Sequence, residues 1–161
     1  MESGKDLFIH ELQDIYDAEN KLVNALEDMA KKVENPELRK SFEEHRTVTQ
    51  KQVDRLEKIF PMVDRKPSRE PCKGINGLIE EFKSFVKEEE PEPAVLNVFA
   101  TGAALKVEHY EIVSYQSLIK LADQLGLADA AQLFQQSLSE EQETAQELDT
   151  MSQKLGQELP A

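Results

Sequence analysis

The chain has 161 residues, enough for one domain with its own core and too few for two comfortable ones. Hydrophobic residues make up 39% and charged residues 32%, with Trp absent and Gly and Pro scarce, a balance of helix formers that suits an all-α protein. The formal net charge of −13 repels phosphates and anionic lipid, which argues against nucleic acid and membrane partners, though it would attract cations.

"MESGKDLFIHELQDIYDAEN" alternates charge with apolar residues and does not read as a signal peptide. No later stretch approaches transmembrane length, so a cytoplasmic address is the expectation. The first helix runs from about 6 to 33, with Phe8, Leu12, Ile15, Leu22, Leu26 and Met29 on one face. The second spans about 36–61: Asn35 is a plausible N-cap, Pro36 a first-turn residue, and Leu38, Phe42, Val53, Leu56 and Phe60 carry the stripe. A connector of some thirty residues follows, holding the lone Cys72 and a shorter helix over about 74–90. Cys72 can make no intramolecular disulfide and reads as a small, partly buried connector residue; no neighbour in sequence marks it for redox chemistry. Two more long helices follow, about 94–124 and 127–156, broken at Gly126.

Short links within the pairs predict two antiparallel helical hairpins, and the long crossover between them is the connectivity of a ferritin-like four-helix bundle. The expectation is therefore all-α, a single ferritin-like domain over 1–161 with a fifth, shorter helix in the crossover. A repeat solenoid is the alternative, but the hairpins show no convincing match to each other.

Each long helix has a gap in its apolar stripe. The first passes through Glu19, the second through His45 and Thr49, the third through Glu108 or His109, and the fourth through Glu141. Burying several carboxylates together is costly unless protons or a cation compensate them. Carboxylates and imidazoles converging inside a helical bundle are how di-iron and di-manganese sites are made. The plainer reading stands beside it: a mid-helix Glu on so charged a chain is commonly solvated, and a lone His is commonly a hydrogen-bonded structural residue. His10 is the weakest candidate, Glu140 and Glu143 belong to the solvated face with one of them able to reach the ligands, and Tyr16, Tyr110 and Tyr115 read as core-edge residues whose hydroxyls meet water or a buried acid.

Heights along the hairpins test the convergence. With the second turn near Gly126, Glu141 is level with Glu111 and about 4.5 Å from the level of Glu108, at 1.5 Å per residue. With the first turn near Asn35, Glu19 falls level with Lys51 and about 9 Å from the level of His45, too far for a shared metal without a shifted turn. A residue better placed to join Glu19 would be near position 48, which is Val.

The stretches "DLFIHELQDIYDAEN", "FEEH", "CKGINGLIEE", "KVEHYEIVSY" and "LSEEQ" resemble the YciE/YciF-type bacterial stress proteins, a ferritin-like family, over about Asp6 to Leu148. The resemblance implies a rubrerythrin-like bundle, a homodimer, a dinuclear iron or manganese centre and a role in the stress response; it supplies no reaction. Carried over by position, the metal residues are Glu19, His45, Glu108, Glu111 and Glu141. The chain departs from the common Glu-x-x-His pattern, since Leu7, Phe42 and Lys106 stand three residues before its histidines. It also has Val48 and Ala145 where the family tends to have acids. A ferritin-like metal-binding stress protein, with peroxide- or oxygen-linked iron chemistry, is one expectation; a metal-free helical dimer serving as an interaction or scaffold protein is the other. An iron-storage cage has no marked surfaces, and no nucleophile elbow, phosphate-binding glycine loop or Cys-pair zinc site is present.

Overall fold

The computed structural model describes residues 1–159, so the last two positions of the expected domain span lie outside the described ones. It contains five α-helices in the expected order: α1 Gly4–Lys32, α2 Pro36–Glu57, α3 Lys73–Glu89, α4 Pro93–Gln124 and α5 Ala128–Gly156. No strand occurs among the described residues.

Local chemistry sets the ends. Ser3 and Asp6 form a capping box on α1: the Asp6 N–H donates to Ser3 Oγ at 3.1 Å and the Ser3 N–H to Asp6 Oδ2 at 3.0 Å. Asn35 caps α2 by accepting from the Leu38 N–H at 3.0 Å, and Pro36 opens the helix where its missing N–H costs nothing. That helix stops at Glu57, short of the expected 61. A 3-10 turn, Phe60–Val63, takes over and ends at left-handed Asp64, because Pro61 supplies no N–H to continue the α ladder. After α4, Gly126 adopts φ +70, which lets the Leu127 N–H reach the Ala122 carbonyl at 2.9 Å and the Gly126 N–H the Asp123 carbonyl at 3.1 Å. This Schellman closure turns the chain tightly into α5.

The hairpins run antiparallel. Tyr16 pairs with Glu57 and Val23 with Arg46 in the first; Tyr115 packs on Phe134 near the turn of the second. α1 also packs on α4 and α2 on α5, so the four long helices enclose one interior, and α3 lies outside against α4 and α1. The crossover is tied to α1 by the Glu70 N–H on the Gln13 carbonyl at 3.3 Å and the Cys72 N–H on Asp17 Oδ2 at 2.8 Å. Cys72 is fully buried rather than partly so, with Sγ 3.2 Å from the Tyr110 hydroxyl.

The apolar core has two parts. One centres on Phe8, Leu12, Ile15, Phe60, Tyr115 and Phe134; the other on Leu26, Phe42, Ala100, Ala104, Leu148 and Leu155. On α2 and α5 the change from one to the other falls at polar residues: His45, Thr49 and Gln52, and Glu141. The interruptions of the stripes are real, and they meet at mid-height.

Candidate metal centre

Glu19, His45, Glu108, Glu111 and Glu141 are all buried, the four glutamates to within 1% of complete and His45 at 4% exposed. His45, Glu108, Glu111 and Glu141 each bring one donor atom to within 4.8 Å of the others'. Glu19 stands beside this quartet from α1, held by the Tyr115 hydroxyl, which donates to its Oε1.

The helical register explains the placement. Glu108 and Glu111 are one turn apart on α4 and so share its inward face, and Glu141 comes from the antiparallel α5 at nearly the same height. The Tyr16–Glu57 and Val23–Arg46 pairings put His45 off the level of Glu19, and it reaches the centre differently: it approaches α4, with Nε2 2.9 Å from Glu108 Oε1. The two atoms are close without being aligned as a hydrogen bond, and both are otherwise unpartnered. Glu108 Oε2, both oxygens of Glu111, Glu141 Oε1, Glu19 Oε2 and His45 Nδ1 likewise lack partners. Buried polar groups are normally satisfied, so these orphaned donor atoms gathered in one place could be satisfied by an ion or by protons shared among the carboxyls. Carboxylate oxygens with one imidazole suit iron, manganese or zinc, and the residues present fit such an ion.

Burial also sets the protonation of the cluster. Burial pushes Glu19 up to about 8, reinforced by the charge of Glu141. It also pushes Glu108 up to about 8, and drives Glu111 and Glu141 well above the usual carboxylate range, with the neighbouring carboxylates adding to the effect. Burial lowers the His45 pKa, so its imidazole is readily neutral, the form that binds metal. Without a cation, the cluster must hold protons.

The other sequence candidates fall outside. His109 is exposed, and His10 is only half-buried, sharing a surface cleft with Arg65. Thr49 is buried but brings no charge. Val48 is half-buried and Ala145 buried, so neither adds a donor. Sequence reasoning missed the support on α2: Arg55 grips Glu140 with both guanidinium nitrogens, at 2.9 and 3.0 Å, and also reaches Ser137 Oγ at 2.7 Å. Fully buried Gln52 donates to Glu140 Oε2 at 3.1 Å. Its signal was the continuing polar face His45, Thr49, Gln52 at helical spacing.

Fold and site together define an all-helical protein with a buried glutamate–histidine cluster able to take a metal ion. The chain belongs to the family described as a domain of unknown function, DUF892, whose model matches residues 3–159. It is 38% identical to YciF of Escherichia coli strain K12 over 145 residues, 89% of this chain and 87% of YciF. The crystal structure of that E. coli stress protein matches with a TM-score of 0.93 at 35% identity, covering 99% of this chain and 100% of the other. YcfI of Rhodopseudomonas palustris matches with a TM-score of 0.89 at 36% identity, over 92% of this chain and 94% of that one. A Xanthomonas campestris protein at 21% identity shares the fold, with a TM-score of 0.76 over 95% of this chain and 93% of its own. No helix among the described residues is long and apolar enough to cross a membrane.

Proposed function

We propose that the protein is a ferritin-like, metal-binding, cytoplasmic stress-response protein whose interior holds a dinuclear iron or manganese centre. One observation carries the reading: His45, Glu108, Glu111 and Glu141 bring donor atoms within 4.8 Å of one another, in a place where most of those atoms have no other partner. Two antiparallel hairpins joined by a long crossover support the ferritin-like reading. Charge supports two ions: four buried glutamates balance two divalent cations, whereas one cation leaves uncompensated charge or retained protons.

In this reading His45 supplies the nitrogen donor and Glu108, Glu111 and Glu141 the oxygens, with Glu19 adding its free Oε2 while Tyr115 holds Oε1. Iron or manganese bound there would supply redox chemistry toward oxygen or peroxide. The chain's part is to fix the donors, exclude bulk water by burial and leave positions open where Val48 and Ala145 contribute no ligand.

The test is metal content per chain after Fe(II) or Mn(II) loading and desalting, for wild type, Glu108→Ala and Glu141→Ala. About two equivalents, lost in both variants, is the expected result. No retained metal overturns the proposal.

One observation favours a second reading, a metal-free homodimer serving as an interaction protein. The outer face of α4 carries Val95 and Val113, 36% and 63% exposed, with half-buried Leu105 and Ile112 on the same helix. Thermal melting separates the readings, since a specific centre raises the melting point with metal and an interaction protein does not respond.

A further inference from the structure

The buried centre has to be reached by a hydrated cation, and the surface near it is not uniform. Between α2 and α5 lies a cleft of about 130 Å³ whose lining includes Glu44, His45, Val48, Glu143, Thr144 and Glu147. His45 belongs both to this lining and to the donor quartet. It is 96% buried, taking its 4% exposure from the whole, and its Nδ1 has no partner. One side chain thus spans from the cleft to the centre.

The charge of the cleft is one-sided. No Lys or Arg lines it. Glu143 and Glu147 are exposed, one turn apart on α5, and Glu147 acts on His45 through its charge. Glu44 pairs with Lys40 at 3.5 Å, between two side chains that are each about two-thirds exposed or more, a pair of little strength, and Lys154, which shares the adjoining groove, is taken up by Glu37. Glu140, by contrast, is already gripped by Arg55 and belongs to the wall. An acidic cleft of this kind concentrates cations and speeds their capture.

The apolar cleft between α1, α3 and α4 offers no comparable route. It holds about 40 Å³, is walled by Leu22, Met29, Phe82 and Val107, and has Asp28, Lys32 and Lys83 as its charged members, a net positive set. A cation entering there would meet one carboxylate, Asp28, against two lysines, and would lose its water among apolar side chains.

We propose that the α2–α5 cleft is the portal of the metal centre: Glu44, Glu143 and Glu147 draw in a divalent cation, His45 passes it inward, and Val48 and Thr144 set the width of the opening. This rests on the metal-centre reading above. Val48 then has a role that a lost ligand would not, since a small apolar side chain leaves the passage open without holding the ion in it.

The experiment is stopped-flow binding of Co(II) to the full chain, followed by visible absorption at low and moderate ionic strength. The triple variant Glu44→Gln/Glu143→Gln/Glu147→Gln is expected to slow association roughly tenfold at low salt, leave dissociation unchanged and lose most of the salt dependence. Val48→Phe, a plug, is expected to slow association and dissociation together. A control removing equal charge elsewhere, Glu80→Gln/Glu88→Gln/Glu89→Gln on α3, is expected to bind like wild type. Wild-type rates in both the triple variant and the plug overturn the portal while leaving the centre standing. Equal slowing in the control overturns local steering. Failure of wild type to bind Co(II) at all overturns the centre and its portal together.

Discussion

Tyr115 of α4 donates its hydroxyl hydrogen to Glu19 of α1, and both side chains are fully buried. The bond joins the two hairpins at the height of the acidic cluster. It also turns Glu19 so that one oxygen is satisfied and the other is not. Tyr115→Phe keeps the ring, packed against Phe134 with centroids 6.1 Å apart, and removes the hydroxyl alone. The expected cost is about 1–3 kcal/mol of stability, from leaving a buried acceptor unsatisfied. Metal affinity is expected to fall as well. Urea denaturation and metal titration read the two effects, and wild-type values in both would contradict this role.

The pH dependence of the metal-free protein follows from the same cluster. Glu19 and Glu108 stand at about 8 in the folded chain against an ordinary 4.5, burial being the main cause in each. Between those values the folded chain holds protons that the unfolded chain has released, so stability is greatest below the window and falls as pH rises through it. Below pH 6.5 the depressed His45 acts with the opposite sign, so the decline is read above it: melting temperatures in chelator are expected to fall from pH 6.5 to pH 8. Glu108→Gln, which cannot ionise, is expected to flatten the slope and to melt above wild type at pH 8. A flat wild-type profile would show that the carboxylates are solvated after all.

Gly74, in the first turn of α3, lies against the ring of Tyr110. A Cβ there would stand 2.4 Å from Tyr110 Cε2 and 2.8 Å from Cζ. The ring is itself held by Cys72 and by Asp14, the latter at 3.3 Å from its hydroxyl, so it has little freedom to retreat. Gly74→Ala should cost about 1–3 kcal/mol by overpacking, despite alanine's better helix propensity. Adding Tyr110→Leu should recover part of that loss, and chemical denaturation of the single and double variants tests both statements.

Arg55 and Glu140 join α2 to α5 directly beside Glu141. The Arg55 side chain is 9% exposed and that of Glu140 26%, so the pair is screened on one side only. Arg55→Met is expected to cost about 1–3 kcal/mol, less than a wholly buried pair would lose. A double-mutant cycle with Glu140→Gln should return a coupling on the order of 1 kcal/mol or more. A coupling near zero would leave Arg55 as packing alone.

Helices and caps were legible in the sequence because they are written in near neighbours. Asn35 and Pro36 mark the start of α2, Gly126 the end of α4, and apolar spacing of three and four reveals which faces go inward. The interruptions at Glu19, His45, Glu108 and Glu141 were legible for the same reason: a periodic stripe shows its own gaps. Only tertiary structure decided what those gaps meet. The choice between Glu108 and His109 turns on about 100° of helix rotation, which packing against three other helices resolves in favour of Glu108. Hairpin heights place His45 off the level of Glu19 on the adjacent helix, yet cannot show that its ring approaches Glu108, because that contact runs between the hairpins. The Arg55–Glu140 clamp and the Tyr110–Gly74 contact were likewise invisible, since each joins residues far apart in sequence whose identities suggest a solvated face or an ordinary helix. Periodicity determines which side of a helix is buried; the distances among four helices determine whether the polar residues on that side become a site.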